Sequence, residues 1–217
     1  MNSLIIGAGE VGKALHRVLL NHHAIFIRGE EELDFLAGFS PEIIHICFPY
    51  SDKFVEQVKA YQKQYKPRYT VIHSTVPIGT SKICKAYHSP IRGVHPNLEG
   101  GIITFVKYLA PKSDELKEYF EKANIEIKMI DKPENTEALK LWSTTQYKRF
   151  IDLEKEMYEW CEERGLDFDV IYTDANKTYN DGYKKLEMDY FVRPILKHMP
   201  GDIGGHCVLS NYKLLNL

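Results

Sequence analysis

The stretch Leu4-Ile5-Ile6-Gly7-Ala8-Gly9-Glu10-Val11-Gly12 narrows the folds open to this chain more than any other. An apolar run over residues 3–7 meets a G-x-G-x-x-G turn, and Ala14, Leu15, Val18 and Leu19 then recur at helical spacing. Strand, glycine turn and helix in that order form the opening of a dinucleotide-binding βαβ unit. There the first glycine makes the turn, the second lets backbone approach a pyrophosphate, and the third packs the helix against the strand. The helix N-terminus faces the anion. Gly7, Gly9, Glu10, Val11 and Gly12 are therefore the first cofactor-binding candidates.

The alternation repeats along the next hundred residues. Residues 24–28 (AIFIR), 42–49 (EIIHICFP), 69–75 (YTVIHST) and 91–97 (IRGVHPN) are predicted strands, and 125–131 (IEIKMID) an edge strand. Residues 30–39, 52–65 and 113–124 are predicted helices, and 76–88 a loop. Strands separated by helices imply an α/β fold, a Rossmann-type doubly wound and mostly parallel sheet covered on both faces. Ligands bind such sheets at the carboxyl ends of the strands. Pro49, at one of those ends, joins the cofactor-binding set, and His95, which ends the predicted strand 91–97 on the same side, is a substrate-contact candidate.

After Pro133 the pattern changes. Residues 135–164 contain no Gly or Pro, and Gly165 stands where a helix would stop. Leu139, Trp142, Tyr147, Phe150, Leu153, Met157, Trp160 and Cys161 give this helix more apolar surface than a small domain can absorb, so a homodimer through it is expected. Residues 167–186 form a shorter helix ending near Asp181-Gly182, and a loop-rich tail runs to Gly204-Gly205-His206-Cys207. Two domains are expected, a dinucleotide-binding domain over 1–132 and a helical dimerisation and catalytic region over 133–217. Four dispersed cysteines without a CxxC pair, and no secretory h-region or long apolar span, point to a reduced cytoplasmic compartment. A formal charge of −2 gives no electrostatic reason to bind nucleic acid or an anionic membrane.

An acidic residue usually ends the second strand and holds the ribose hydroxyls. Arg28 stands there, suited to a 2′-phosphate, with Glu30 or Glu31 as alternative ribose contacts. The cofactor expected is NAD or NADP, and Arg28 favours NADP. His73, His88, His95, His198 and His206 show no H-x-x-H or HExxH spacing, so no metal site is expected.

Three motifs in order, Ser74-Thr75-Val76-Pro77 with Gly79-Thr80, the long helix with Glu137-Ala138-Leu139-Lys140, and Pro200-Gly201 running to Gly204-Gly205-His206-Cys207, resemble the UDP-glucose/GDP-mannose dehydrogenase family over nearly the whole chain. The resemblance implies a nucleotide-sugar 6-dehydrogenase type of oxidoreductase, with Lys140 as the helix lysine, Cys207 as the nucleophile, and Ser74 and Thr75 as cofactor contacts in the strand-end loop, Thr75 also catalytic. It implies substrate contacts from Asn97 and Glu99, in a shortened form of the family's PEFLxEG segment, and from His206 and Asn211. Two positions depart from the family pattern. Thr144 stands where the family has an asparagine, and Asn211 where it has an aspartate. Family members continue through a third, nucleotide-sugar-binding domain, so a truncated form is expected.

In the family's scheme a primary alcohol loses hydride, the cysteine captures the aldehyde, and a second hydride transfer gives a thioester that water hydrolyses. His206 or Lys140 can lower the thiol pKa, the amides of Gly204 and Gly205 can stabilise an oxyanion, and Lys140 can serve as general base or as charged partner. Two other readings remain open. One is a non-catalytic dinucleotide-binding module or subunit. The other is a hydroxyacid-dehydrogenase-type enzyme that uses Lys140 on a small polar substrate without the cysteine. Taken singly, Lys140 also fits a solvated helix face and Cys207 a small apolar filler.

Overall fold

The computed structural model describes residues 1–29, 39–93, 96–201 and 211–215. They form two compact units, Met1–Leu141 and Trp142–Leu217.

The first unit is built on five parallel strands, β1 (Ser3–Ile6), β2 (Ile25–Arg28), β3 (Ile43–Ile46), β4 (Tyr69–Ile72) and β5 (Tyr87–His88), in the order β2-β1-β3-β4-β5. A parallel pair, β6 (Lys107–Leu109) and β7 (Ile127–Met129), joins β5 through one antiparallel bridge, His88 with Ala110. Helices α1 (Glu10–Leu20), α2 (Phe54–Tyr65), the single turn α3 (Thr80–Ile83), α4 (Leu98–Thr104) and α5 (Asp114–Glu121) connect them. Strand periodicity divides the core in two. Ile5, Ile43 and Val71 pack with Leu15, Leu19, Leu116 and Phe120 on one face, while Leu4, Ile6, Ile44, Ile46 and Ile72 pack with Phe54 and Val58 on the other. This is the doubly wound, mostly parallel α/β sheet expected.

The turn between β1 and α1 shows why its glycines are needed. Gly7 has φ +110°, and a Cβ there would stand 2.8 Å from the Cys47 carbonyl carbon at the end of β3. A Cβ on Gly12 would stand 1.9 Å from the Gly7 oxygen. A Cβ on Gly9 meets nothing within 4 Å. The chain therefore turns where β1 borders both β2 and β3, which is the switch point of the strand order.

The stretch 76–97 departs from expectation. Residues 91–93 are not a strand, and 94–95 lie outside the described residues. Sheet order is instead carried by Tyr87 and His88, inside the expected loop, which also contains α3. The reason is local: Pro90 has no amide hydrogen to give a ladder, and the carbonyls of Ser89, Pro90 and Ile91 are taken by lysine side chains. The predicted helix 30–39 lies outside the described residues apart from Phe39.

The long helix is present as α6 (Pro133–Glu162), with proline at its first position, where no amide hydrogen is missed. In the second unit α6 packs a small core of Cys161, Phe168 and Tyr172. A π-type turn over Asp169–Asp174 runs into α7 (Ala175–Lys185). α7 passes through Gly182, where an end was expected, and stops where Glu187 turns left-handed (φ +58°) and the Met188 amide donates back to the Tyr183 carbonyl. Among the described residues no helix is long and apolar enough to cross a membrane.

Gly12→Ala should cost about 1–3 kcal/mol, because backbone must give way. Gly9→Ala should stay within about 0.5 kcal/mol of wild type. Urea midpoints of the two variants measure the difference.

Candidate functional site

The carboxyl ends of β1, β3 and β4 meet around the glycine turn. Gly9 is the N-cap residue of α1 and makes no side-chain cap, as suits a helix N-terminus that is to face an anion. The open space at Gly9, beside two glycines that tolerate no Cβ, fits the close approach of a pyrophosphate. Glu10 is exposed and Val11 half-buried on the first turn. At the neighbouring strand ends Ser74 Oγ donates to the Phe48 carbonyl at 2.6 Å, which ties β4 to β3 beside the exposed Pro49. Thr75 is half-buried next to it.

The loop from Ser74 to Thr80 is held by α6. Glu137 accepts from the Gly79 amide at 2.6 Å and the Ser81 amide at 2.7 Å, one carboxylate oxygen to each. Burial raises the Glu137 carboxyl, against a lowering by the Ser81 hydroxyl and these two amides. One residue earlier Thr136 Oγ1 bonds His88 Nδ1 at 2.7 Å, and His88 Nε2 reaches the Ser74 carbonyl at 3.2 Å. One turn later Lys140 Nζ donates to the Ile91 carbonyl at 2.9 Å. Thr136, Glu137 and Lys140 thus line one face of α6 against the strand ends. Glu137 is absent from the sequence candidates; only its i, i+3 spacing to Lys140 signals it.

Arg28 does not do what was expected of it. It is 4% exposed, its Nη1 donates to Tyr65 Oη at 2.6 Å, and its guanidinium lies 5.4 Å from the centre of the Tyr61 ring. Both tyrosines belong to α2, so the group is held inward and gives no reason to favour NADP. Asn97 caps α4 by accepting from the Gly100 amide at 3.2 Å, and Glu99 pairs with Arg17 of α1 on an exposed surface. Asn211 is buried in the second unit. Glu30, Glu31, His95, Gly204, Gly205, His206 and Cys207 lie outside the described residues. Before that last motif, Lys155 of α6 holds the Met199 and Gly201 carbonyls at 2.6 Å each, and Glu154 bonds His198 Nδ1 at 2.7 Å.

Behind the strand ends runs a buried polar belt that no sequence motif announces. Ser3 Oγ bonds Tyr119 Oη at 2.8 Å, Tyr119 Oη bonds His45 Nε2 at 3.2 Å, and His45 Nδ1 bonds His73 Nε2 at 2.9 Å. His73 Nδ1 lies 2.7 Å from the Ser89 carbonyl. That last contact assigns the protons. A carbonyl only accepts, so His73 carries its hydrogen on Nδ1, His45 donates from Nδ1, and Tyr119 donates to His45. The belt ends at Lys107, 3% exposed, whose Nζ lies 2.6 Å from the Ser89 carbonyl, 3.3 Å from the Pro90 carbonyl and 3.2 Å from His73 Nδ1. Desolvation lowers His45 and His88 to about 3 and His73 well below its ordinary value, so all three are neutral. It lowers Lys107 to about 7, against a raising by Cys47 and with a further lowering by the Lys140 charge, and raises the Cys47 thiol to about 12. The one signal in the sequence is period 2: His45 interrupts an apolar strand, and His73 follows the adjacent strand on the same face.

No family model and no curated protein sequence matches the chain. Solved structures do, at low identity. The UDP-N-acetyl-mannosamine dehydrogenase Cap5O from S. aureus is 14% identical, with a TM-score of 0.60 over 99% of this chain and 66% of that one. An NDP-N-acetyl-D-galactosaminuronic acid dehydrogenase from Methanosarcina mazei is 12% identical, with a TM-score of 0.65 over 99% and 60%. Psf3, solved with NADP+ and 2-OPP, is 14% identical, with a TM-score of 0.52 over 97% and 92%. The chain spans less than two thirds of both sugar-nucleotide enzymes. The likeness establishes the fold these proteins share.

Acidification should unfold the protein early. A histidine whose folded pKa is depressed adds stability that is present above the unfolded value near 6.5 and is lost as pH falls toward 3. Each of the three buried histidines then contributes up to about 1.4 kcal/mol per pH unit. Urea midpoints between pH 7 and 4 should fall, and fall less in His88→Gln.

Proposed function

We propose that this chain is an NAD(P)-dependent oxidoreductase acting on a CH–OH group of a sugar-like or other small polar substrate. The observation that carries the reading is the docking of the Ser74–Thr80 loop, at the carboxyl end of β4, by Glu137, one helical turn before Lys140 on α6. Gly9 and the first turn of α1 would hold the pyrophosphate, and Ser74 and Thr75 would border the nicotinamide end. When bound there, the oxidised nicotinamide would supply the hydride acceptor. Lys140, as an ammonium ion, would hold the hydroxyl of the reacting carbon and stabilise the developing alkoxide while the proton leaves through water. In the fuller reading, kin to nucleotide-sugar 6-dehydrogenases, Cys207 would add to the aldehyde, a second oxidised NAD(P) would take the hydride of the thiohemiacetal, and water would cleave the thioester to an acid and free the thiol. A second reading, a hydroxyacid-type enzyme using Lys140 alone, is favoured by Lys140 lying in the same compact unit as the glycine turn.

The two readings separate on the thiol. Titration with NAD and NADP should show binding of at least one, weakened about tenfold or more by Gly9→Ala. A screen of nucleotide sugars and small hydroxyacids should then give NAD(P)H formation that Lys140→Met abolishes. Loss in Cys207→Ser supports the two-step oxidation; full turnover in Cys207→Ser assigns the chemistry to Lys140 alone. Cofactor binding without turnover of any candidate would leave a binding module.

We further infer a homodimer through α6. Trp142, Leu153 and Trp160 are each about half exposed and fall within about 20° of one another around the helix. Sedimentation should report a dimer for the wild type and a monomer for the Trp142→Glu, Trp160→Glu double variant. The free thiols of Cys47, Cys84 and Cys161 suit a reducing, cytoplasmic setting.

A further inference from the structure

Of the buried groups that the proposed chemistry leaves unused, Lys107 is the one whose surroundings fit an amine better than an ammonium ion. Two N–H groups have acceptors, the Ser89 and Pro90 carbonyls, but the third neighbour, His73 Nδ1, already bears a hydrogen that the Ser89 contact requires. A neutral amine gives its two hydrogens to those carbonyls and faces the His73 N–H, already donated to the Ser89 carbonyl, with its lone pair. An ammonium ion would set a donor against a donor. None of the described groups packed around it offers a negative charge: His45 and Cys47 at the end of β3, His73 after β4, His88 on β5 and Tyr119 on α5 are all neutral, and Phe120 presents a ring at 5.7 Å. Desolvation lowers Lys107 most; secondary to it, Cys47 raises Lys107 and the positive charge of Lys140 on α6 lowers it.

Lys107 and Lys140 share one short piece of backbone. Lys107 holds the carbonyls of Ser89 and Pro90, and Lys140 holds the next one, Ile91. We propose that Lys107 is a protonation-controlled positioning residue for Lys140. As a neutral amine it fixes the Ser89-Pro90-Ile91 strap from which Lys140 is oriented, and as an ammonium ion it displaces the strap. The balance is simple: one proton from solvent adds to the Nζ lone pair, turns a third N–H onto the N–H of His73, and places two like charges along three residues. Acid therefore turns the site off through a residue that does not touch substrate. The catalytic consequence rests on the reading of Lys140 given above, but the titration itself does not.

The test begins with ligand-free protein carrying 13C-labelled lysine Cε, titrated by NMR. One lysine should titrate near pH 7 while the others titrate near their ordinary value, and that resonance should vanish in Lys107→Met. Should that variant not fold, the displaced midpoint itself identifies the residue. In Lys140→Gln, which keeps a donor for Ile91 but carries no charge, the midpoint should rise by roughly half a pH unit or more. A midpoint near 10.5, or one indifferent to Lys140→Gln, overturns the proposal. The turnover readout is the acid limb of the kcat profile, expected near pH 7 in the wild type and lost in Lys107→Met. An acid limb unchanged in Lys107→Met overturns the positioning role even when the titration is as expected. Failure of NAD(P) binding with an intact titration sinks the enzyme reading and leaves the strap device standing.

Discussion

The candidate site hangs on one carboxylate. Glu137 turns both oxygens onto backbone amides of the Gly79–Ser81 turn, and those charge-assisted bonds are stronger than neutral ones. Without them the loop after β4 and the first turns of α6 would be two surfaces in loose apposition. With them, the spacing of a helix does the rest: Thr136 falls against His88, and Lys140, one turn on, falls against Ile91. The helix is fastened before the point where its lysine is needed, so the lysine inherits its position from backbone hydrogen bonds and not from its own flexible stem. A loop that would otherwise be mobile becomes part of a rigid edge, which is what a preorganised site requires.

Legibility from sequence follows the range of the interactions. The β1 turn is readable because its demands are steric and local: Gly7 and Gly12 have no room for a Cβ, and any chain making this turn must show the pattern. The two-faced core is readable because period 2 and period 3.6 are local too. Arg28 misleads because its fate is settled by Tyr61 and Tyr65, more than thirty residues away, and nothing at position 28 announces them. The segment 91–93 misleads for a similar reason. Its apolar residues suit a strand, yet lysines from β6 and α6 claim its neighbouring carbonyls first. The family resemblance points to Lys140 but not to Glu137, which acts on backbone and leaves no mark in the segment it binds.

The polar belt is the costly part of this core. Ser3, His45, His73 and Lys107 are all but fully buried, in a place where apolar side chains would carry no desolvation penalty. The belt is tolerated because each member has a partner of the right kind, and because the chain of donors runs in one direction from Ser3 to the Ser89 carbonyl. Such a directed chain leaves no choice of tautomer, and hence no freedom in the rings. Apolar residues of similar volume would hold β1, β3 and β4 together as well or better. They would not hold the Ser89–Ile91 carbonyls, because a carbonyl turned inward needs a donor. The strap that meets Lys140 therefore exists in its present form only because polar groups were placed beneath it, and the buried histidines and lysine belong to the architecture of the strand ends as much as to the core.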